Sequence, residues 1–188
     1  MGRVMAHLRD ALPRDAIVTN GAGNYDDWPN CFYSYRAAAS ILAPISGAMG
    51  FGVPAAVAGK LAHPGRTVVC FAGDGDFLMT GQELATAMKY GVDPIFLVIN
   101  NDMYGTIRMH QEQRHPGRLS GTGLANPDFA AYARSFGAHG AVVERTEDFA
   151  PAFEEALACG RAALIEVRVG PDHLGPDISV SGIRAEQA

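Results

Sequence analysis

Two uninterrupted apolar runs constrain this chain more than any other feature. They are Thr67-Val68-Val69-Cys70-Phe71-Ala72 and Ile95-Phe96-Leu97-Val98-Ile99. A strand with one face in water alternates apolar and polar residues, whereas a run that is apolar at every position is a strand covered on both faces. The first run ends in Gly73-Asp74-Gly75-Asp76 and the second in Asn100-Asn101, with helical text over Gly81–Tyr90 between them. Strand, helix, strand is the unit that places two parallel strands side by side.

The rest of the chain repeats that alternation. The text predicts a helix over Val4–Leu12, a strand over Ala16–Thr19 and a turn over Asn20–Asn24. An irregular aromatic stretch follows over Tyr25–Tyr35, then a short strand over Ser40–Leu42. The Gly-rich run Gly47–Gly52 leads into an Ala-rich helix, with Pro54 where a first turn tolerates it. Helices are predicted over Tyr104–Gln113, Phe129–Phe136 and Phe149–Cys159, and strands over Ala141–Val143 and Ala163–Val169. The expected fold is α/β: a doubly wound, mostly parallel sheet with helices on both faces. One domain is expected over residues 1–170, followed by a Pro- and Gly-containing tail over 171–188.

Composition narrows the function classes. The 188 residues are 48 % hydrophobic and 19 % charged, a globular balance. The net charge of -5 argues against nucleic-acid binding, which needs a basic face. No apolar run is long enough for a membrane span. Cys31, Cys70 and Cys159 are odd in number and widely spaced, which suits neither a disulfide framework nor a zinc motif. Cys70 reads as a small buried hydrophobe, and a reducing compartment, the cytoplasm, is expected.

In open parallel sheets, ligands sit at the C-terminal strand ends. Three turns are expected to converge there: Gly21–Tyr25, Gly73–Asp76 and Asn100–Gly105. Asp74 and Asn101 each lie just past a buried strand, 27 residues apart, so adjacent strands can bring them together. One carboxylate and one amide oxygen form a hard, low-charge set that suits Mg2+ when phosphate oxygens and water complete its shell. The flanking glycines let backbone N–H groups approach those phosphates.

Gly73-Asp74-Gly75, then 24 residues, then Asn100-Asn101 resembles the signature of the thiamine diphosphate-dependent enzymes. Gly81-Gln82-Glu83-Leu84-Ala85-Thr86 and Gly47-Ala48-Met49-Gly50-Phe51-Gly52-Val53-Pro54-Ala55-Ala56 look like the acetolactate synthase and 2-oxoacid decarboxylase branch. The resemblance runs from about Val4 to Arg184 and points to the C-terminal, pyrophosphate-binding domain.

It implies thiamine diphosphate and Mg2+ as cofactors. Asp74 and Asn101 become the side-chain metal ligands and the Met103 carbonyl the third. Gly73, Gly75, Asp76 and Gly105 fall at the diphosphate, and Gly23, Asn24 and Tyr25 match the stretch that grips it from the first strand. Acetolactate synthases often carry Gln-His where this chain has Asn24-Tyr25. Gly47, Ala48 and Met49 fall beside the cofactor rings, with Met49 as the apolar wedge that keeps them bent. Where acetolactate synthases carry a Trp, this chain has His110, so Thr106, Ile107 and His110 are the positions implied to contact a 2-oxo acid substrate.

The Glu that activates the cofactor in this family lies in a pyrimidine-binding domain, which this text does not contain. Glu83 and Glu112 read as surface or helix-end charges. The expected function is therefore the cofactor-binding half of a 2-oxo acid decarboxylating or carboligating enzyme. Such a half is inactive alone and assembles with a pyrimidine-binding domain or subunit and with further copies of itself. It is read as a fragment of a longer enzyme; the alternative is a subunit of a split decarboxylase of the sulfopyruvate or phosphonopyruvate type. Two other classes make different demands on the sequence. A nicotinamide-dependent dehydrogenase would need a third glycine where Asp26 stands after Gly21-Ala22-Gly23. A non-catalytic module would bind the cofactor or only pack against partners.

Overall fold

The computed structural model describes residues 1–186. Six strands form one all-parallel sheet in the order β2-β1-β3-β4-β6-β5. They are β1 (Ile17–Asn20), β2 (Ile41–Leu42), β3 (Val68–Gly73), β4 (Ile95–Asn100), β5 (His139–Val143) and β6 (Ala163–Arg168). The chain leaves β1 for β2 on one side and returns to β3 on the other. The connections therefore switch sides at β1 and β3, where a crevice opens at the C-terminal strand ends.

The unbroken apolar runs have the expected cause. Val69 and Phe71 of β3 and Ile95, Leu97 and Ile99 of β4 face one core layer. Helices α1 (Gly2–Ala11) and α8 (Phe149–Ala158) close that layer with Leu8, Phe149 and Phe153. Val68, Cys70 and Ala72, with Phe96 and Val98, face the opposite layer. There α3 (Gly52–Ala62), α5 (Leu84–Tyr90) and α7 (Phe129–Ser135) supply Val53, Leu84 and Phe129. Among the described residues, no helix is long and apolar enough to cross a membrane.

Three segments differ from the sequence expectation. Asp74 opens a helix, α4 (Asp74–Thr80), where a turn was expected; a 3-10 turn over Gly81–Glu83 then joins it to α5. Gly75 and Gly81 lower helix propensity and mask this element. Burial of Phe77 edge-on to Phe96 and Phe129 stabilises it. The stretch after Tyr25 is helical over α2 (Asp27–Phe32). Pro29 is tolerated there because first-turn N–H groups have no intrahelical partner.

The segment after Gly170 ends in a helix, α9 (Val180–Ala185), capped by Ser179, whose hydroxyl accepts from Gly182 N–H at 3.0 Å. Val180, Ile183 and Leu174 pack on Met103 as a third apolar cluster. Arg184 reaches α6 (Gly105–Arg114) and pairs with Glu112 at 2.7 and 3.1 Å. Glu112 is fully buried, contrary to its reading as a surface charge. It also accepts from Arg108 at 3.0 Å and Gly117 N–H at 3.2 Å. These donors, the Arg184 guanidinium foremost, hold its carboxyl down at about 2.

Candidate functional site

The three turns meet around one cavity of about 470 Å³, the size of a small-cofactor site. Ala22–Tyr25 after β1, Gly73–Asp76 after β3 and residues from Asn101 to Ile107 after β4 line it. Gly47 and Met49 close one flank, and residues between Val169 and Pro176 close another. Of the residues singled out from the sequence, Ala48 and His110 are exposed and absent from this lining. His110 lies on the outer side of α6, so the Thr106 and Ile107 end of that helix faces the cavity without it.

Asp74 is buried at the first position of α4. Its Oδ1 accepts from Gly75 N–H at 3.0 Å and its Oδ2 from Asn126 Nδ2 at 2.7 Å. Burial pushes its carboxyl above the usual carboxylate range, and the Asn126 and Gly75 donors counter that. Asn101 and Met103 flank Asp102, which adopts the left-handed conformation with φ 59°. Asp tolerates this region better than most residues. That turn is held by Asp102 N–H donating to Asn100 Oδ1 at 3.0 Å.

Asn24 and Thr106 hold each other across the cavity mouth. The Thr106 hydroxyl donates to Asn24 Oδ1 at 2.8 Å and accepts from Asn24 N–H at 3.1 Å. The Tyr25 hydroxyl accepts from Gly21 N–H at 3.1 Å and lies beside the Asp76 carboxylate. Burial and that carboxylate raise the Tyr25 pKa. Tyr25 thus meets the cavity with its ring, which also covers Gly73: a Cβ there would stand 2.8 Å from the ring.

Asp76 fixes the Gly-rich run. Its Oδ1 accepts from Gly50 N–H at 2.7 Å, while Gly50 C=O accepts from the Thr80 hydroxyl at 2.8 Å. Gly50 has φ 80°, a conformation glycine adopts without strain. Gly52 lies so close to β1 that a Cβ would sit 2.9 Å from the Asn20 carbonyl carbon. These contacts set where Gly47 and Met49 stand relative to the strand ends.

The residues present fit a metal-bound diphosphate. Among the described residues no cluster of three His, Cys, Asp or Glu side chains offers a metal cage. One carboxylate with an amide and a carbonyl oxygen leaves a divalent cation to be completed by anionic ligand oxygens. Gly105–Ile107 open α6 beside Asn101 and Met103, and a helix N-terminus presents free N–H groups to an anion.

The comparisons decide the family. Residues 21–167 match the family described as thiamine pyrophosphate enzyme, C-terminal TPP binding domain. The chain belongs to that family. It is 37 % identical over 168 residues to the acetolactate synthase large subunit of Parasynechococcus marenigrum, covering 88 % of this chain and 27 % of that one. It is 32 % identical over 168 residues to the acetolactate synthase isozyme 2 large subunit of Escherichia coli, covering 88 % and 31 %. Its fold matches the thiamine diphosphate-dependent 4-hydroxybenzoylformate decarboxylase of Rhodococcus jostii RHA1. The TM-score is 0.84 at 33 % identity, over 90 % of this chain and 32 % of that one. The chain therefore spans under a third of the length of these relatives.

Several lining or supporting residues were not singled out from the sequence. Asn126 precedes Pro127 and Asp128 and reads locally only as the approach to α7, whose cap is Asp128. Tyr104, His173, Leu174 and Pro176 line the cavity. The Ser179 cap with Val180 and Ile183 three apart was the signal for α9. Trp28 is half-buried, packs against the core layer under α1 and α8, and lines the cavity.

Proposed function

We propose that this family member supplies the diphosphate- and Mg2+-binding half of an enzyme that decarboxylates a 2-oxo acid or joins its remainder to a second carbonyl. The observation that carries the reading is the buried Asp74 at the start of α4, lining one cavity with Asn101 and Met103. Asp74, Asn101 and the Met103 carbonyl would hold Mg2+, and backbone N–H groups of Gly75, Asp76 and Gly105 would face the diphosphate. When bound, the cofactor supplies an electron sink for decarboxylation next to a carbonyl.

Met49, Val169, Leu174 and Pro176 supply apolar side chains to the cavity lining, and Met49 would be the one to pack on the cofactor rings. Thr106 and Ile107 stand where a substrate would contact α6. The activating Glu would come from a pyrimidine-binding domain, so the chain alone would turn over no substrate. Ile45, Phe51, Leu78 and Met79 are exposed apolar side chains on and near the Gly47–Gly52 run and α4. They support assembly with that domain and with further copies of the chain. Three free cysteines, with Cys31 exposed, fit a reducing compartment such as the cytoplasm.

The test mixes the chain with a pyrimidine-binding domain from an acetolactate synthase, thiamine diphosphate, Mg2+ and pyruvate. CO2 release that needs both proteins and disappears in Asp74→Ala is the expected result, and product analysis separates decarboxylation from carboligation. Release that persists in Asp74→Ala would contradict the assignment.

A further inference from the structure

We propose that Asn126 is the positioning residue for the metal site: its side-chain amide orients Asp74 and ties it to the turn that carries Asn101 and Met103. The proposal rests on the reading of Asp74, Asn101 and Met103 as the Mg2+ ligands.

The geometry is specific to a side-chain NH2 group. Asn126 Nδ2 lies 2.7 Å from Asp74 Oδ2, 2.9 Å from Asn100 Oδ1 and 3.1 Å from Asp102 Oδ1. Two carboxylates and an amide oxygen thus converge on one nitrogen with two protons. The opposite orientation of the amide would aim its oxygen at both carboxylates, so chemistry fixes which way it points. That orientation leaves Asn126 Oδ1 buried without a hydrogen-bond partner. A buried unpaired carbonyl is unfavourable, and the fold accepts it where the NH2 group has three acceptors to serve.

The backbone delivers Asn126 to this place in register with the other candidate ligands. The segment before it runs antiparallel to residues 102–104. Tyr104 N–H donates to Thr122 C=O at 2.9 Å and Leu124 N–H to Asp102 C=O at 2.9 Å. Met103 and Gly123 form an isolated bridge. A shift of Asp102–Tyr104 would therefore carry Asn126, and with it Asp74 Oδ2.

The far side of the node is braced across the sheet. Asn100 Nδ2 donates to the buried Glu166 of β6 at 2.8 Å. Arg168 donates to Glu166 at 2.9 Å and to Glu144, beyond β5, at 2.7 Å. Hydrogen bonds thus link the ends of β3, β4 and β6 to the edge of the sheet. Gly75 N–H and Asn126 Nδ2 each occupy one oxygen of Asp74, which pins its rotamer and leaves the remaining lone pairs for a cation. Residues that orient metal ligands by hydrogen bonds contribute strongly to affinity, and their loss weakens metal binding about 10- to 100-fold.

The experiment follows Mn2+ binding by electron paramagnetic resonance at saturating thiamine diphosphate, with a pyrimidine-binding domain present. Wild type, Asp74→Ala, Asn126→Ala and Asn126→Ser are compared, and the melting midpoint of each is recorded without metal. The expected result is tight Mn2+ binding in wild type, loss in Asp74→Ala, and at least a tenfold weaker Kd in both Asn126 variants. Asn126→Ser keeps the result readable if the alanine variant does not fold. A structural role alone would lower the metal-free midpoint and leave the Mn2+ Kd within about twofold of wild type; that outcome overturns the proposal while the site reading stands. Mn2+ binding that survives in Asp74→Ala, or its absence in wild type, overturns the site reading and the proposal with it.

Discussion

Replacing Glu112 by Gln tests how the C-terminal segment is held over the cavity. The carboxylate is fully buried and accepts from Arg184 at 2.7 and 3.1 Å, from Arg108 at 3.0 Å and from Gly117 N–H at 3.2 Å. Gln keeps the volume, removes the charge and turns one acceptor into a donor aimed at a guanidinium. Hydrogen bonds to charged groups contribute about 1.5–3 kcal/mol each. The Arg184 side chain is 49 % exposed and regains water when released, whereas Arg108 is 19 % exposed and regains less. A net loss of about 3 kcal/mol follows, which for a chain of this size lowers Tm by roughly 6–12 °C.

The loss is local in origin, so hydrogen exchange of the Leu174–Arg184 amides should accelerate before that of β3 and β4. The Glu112 carboxyl is held at about 2 in the fold against an ordinary 4.5. A depressed carboxyl stabilises the fold fully above its unfolded value, and that stability is lost as pH falls through the folded value. The difference between wild type and variant should thus be constant above about pH 5 and shrink as pH falls from 4.5 toward about 2. A variant that melts within about 1 °C of wild type, with C-terminal amides equally protected, would mean that Glu112 does not anchor the C-terminal segment.

Two further outcomes are expected. Gly50→Ala forces a side chain into φ 80° and sets its Cβ 3.1 Å from Met79 Cβ. Left-handed backbone costs a non-glycine residue about 1–2 kcal/mol, and affinity for thiamine diphosphate should fall more than affinity for inorganic diphosphate, because this run sets Met49 and not the phosphate turn. In thiol labelling at pH 8, exposed Cys31 should react readily and Cys70, which burial pushes up to about 12, should stay unmodified until the protein unfolds.

The sheet was legible because burial on both faces leaves a local mark: every position of β3 and β4 is buried, and the residues say so. The cavity walls after β1, β3 and β4 were legible for a related reason, since strand ends in parallel sheets carry the ligand turns. Helix α4 was hidden because two glycines flank the Phe77 contact that stabilises it. Glu112 was misread because an Arg four residues before it marks an exposed helix face as readily as a buried one, and the partner that covers it, Arg184, stands 72 residues away. Asn126 gave no local sign, since its bond to Asp74 spans 52 residues. Motif spacing placed the candidate ligands; what orients them is long-range hydrogen bonding, which spacing does not record.

In the proposed function, Asp74 anchors a metal-dependent diphosphate site in this chain. The most direct measurement is the Tm of wild type and Asp74→Ala with thiamine diphosphate, with and without Mg2+. A ligand that binds only the folded state raises stability by about 2.7 kcal/mol at a hundredfold excess over its Kd. Tm should rise in wild type only when Mg2+ is present, and not at all in Asp74→Ala. An equal rise in both proteins, or a rise in wild type that ignores Mg2+, would contradict that role of Asp74.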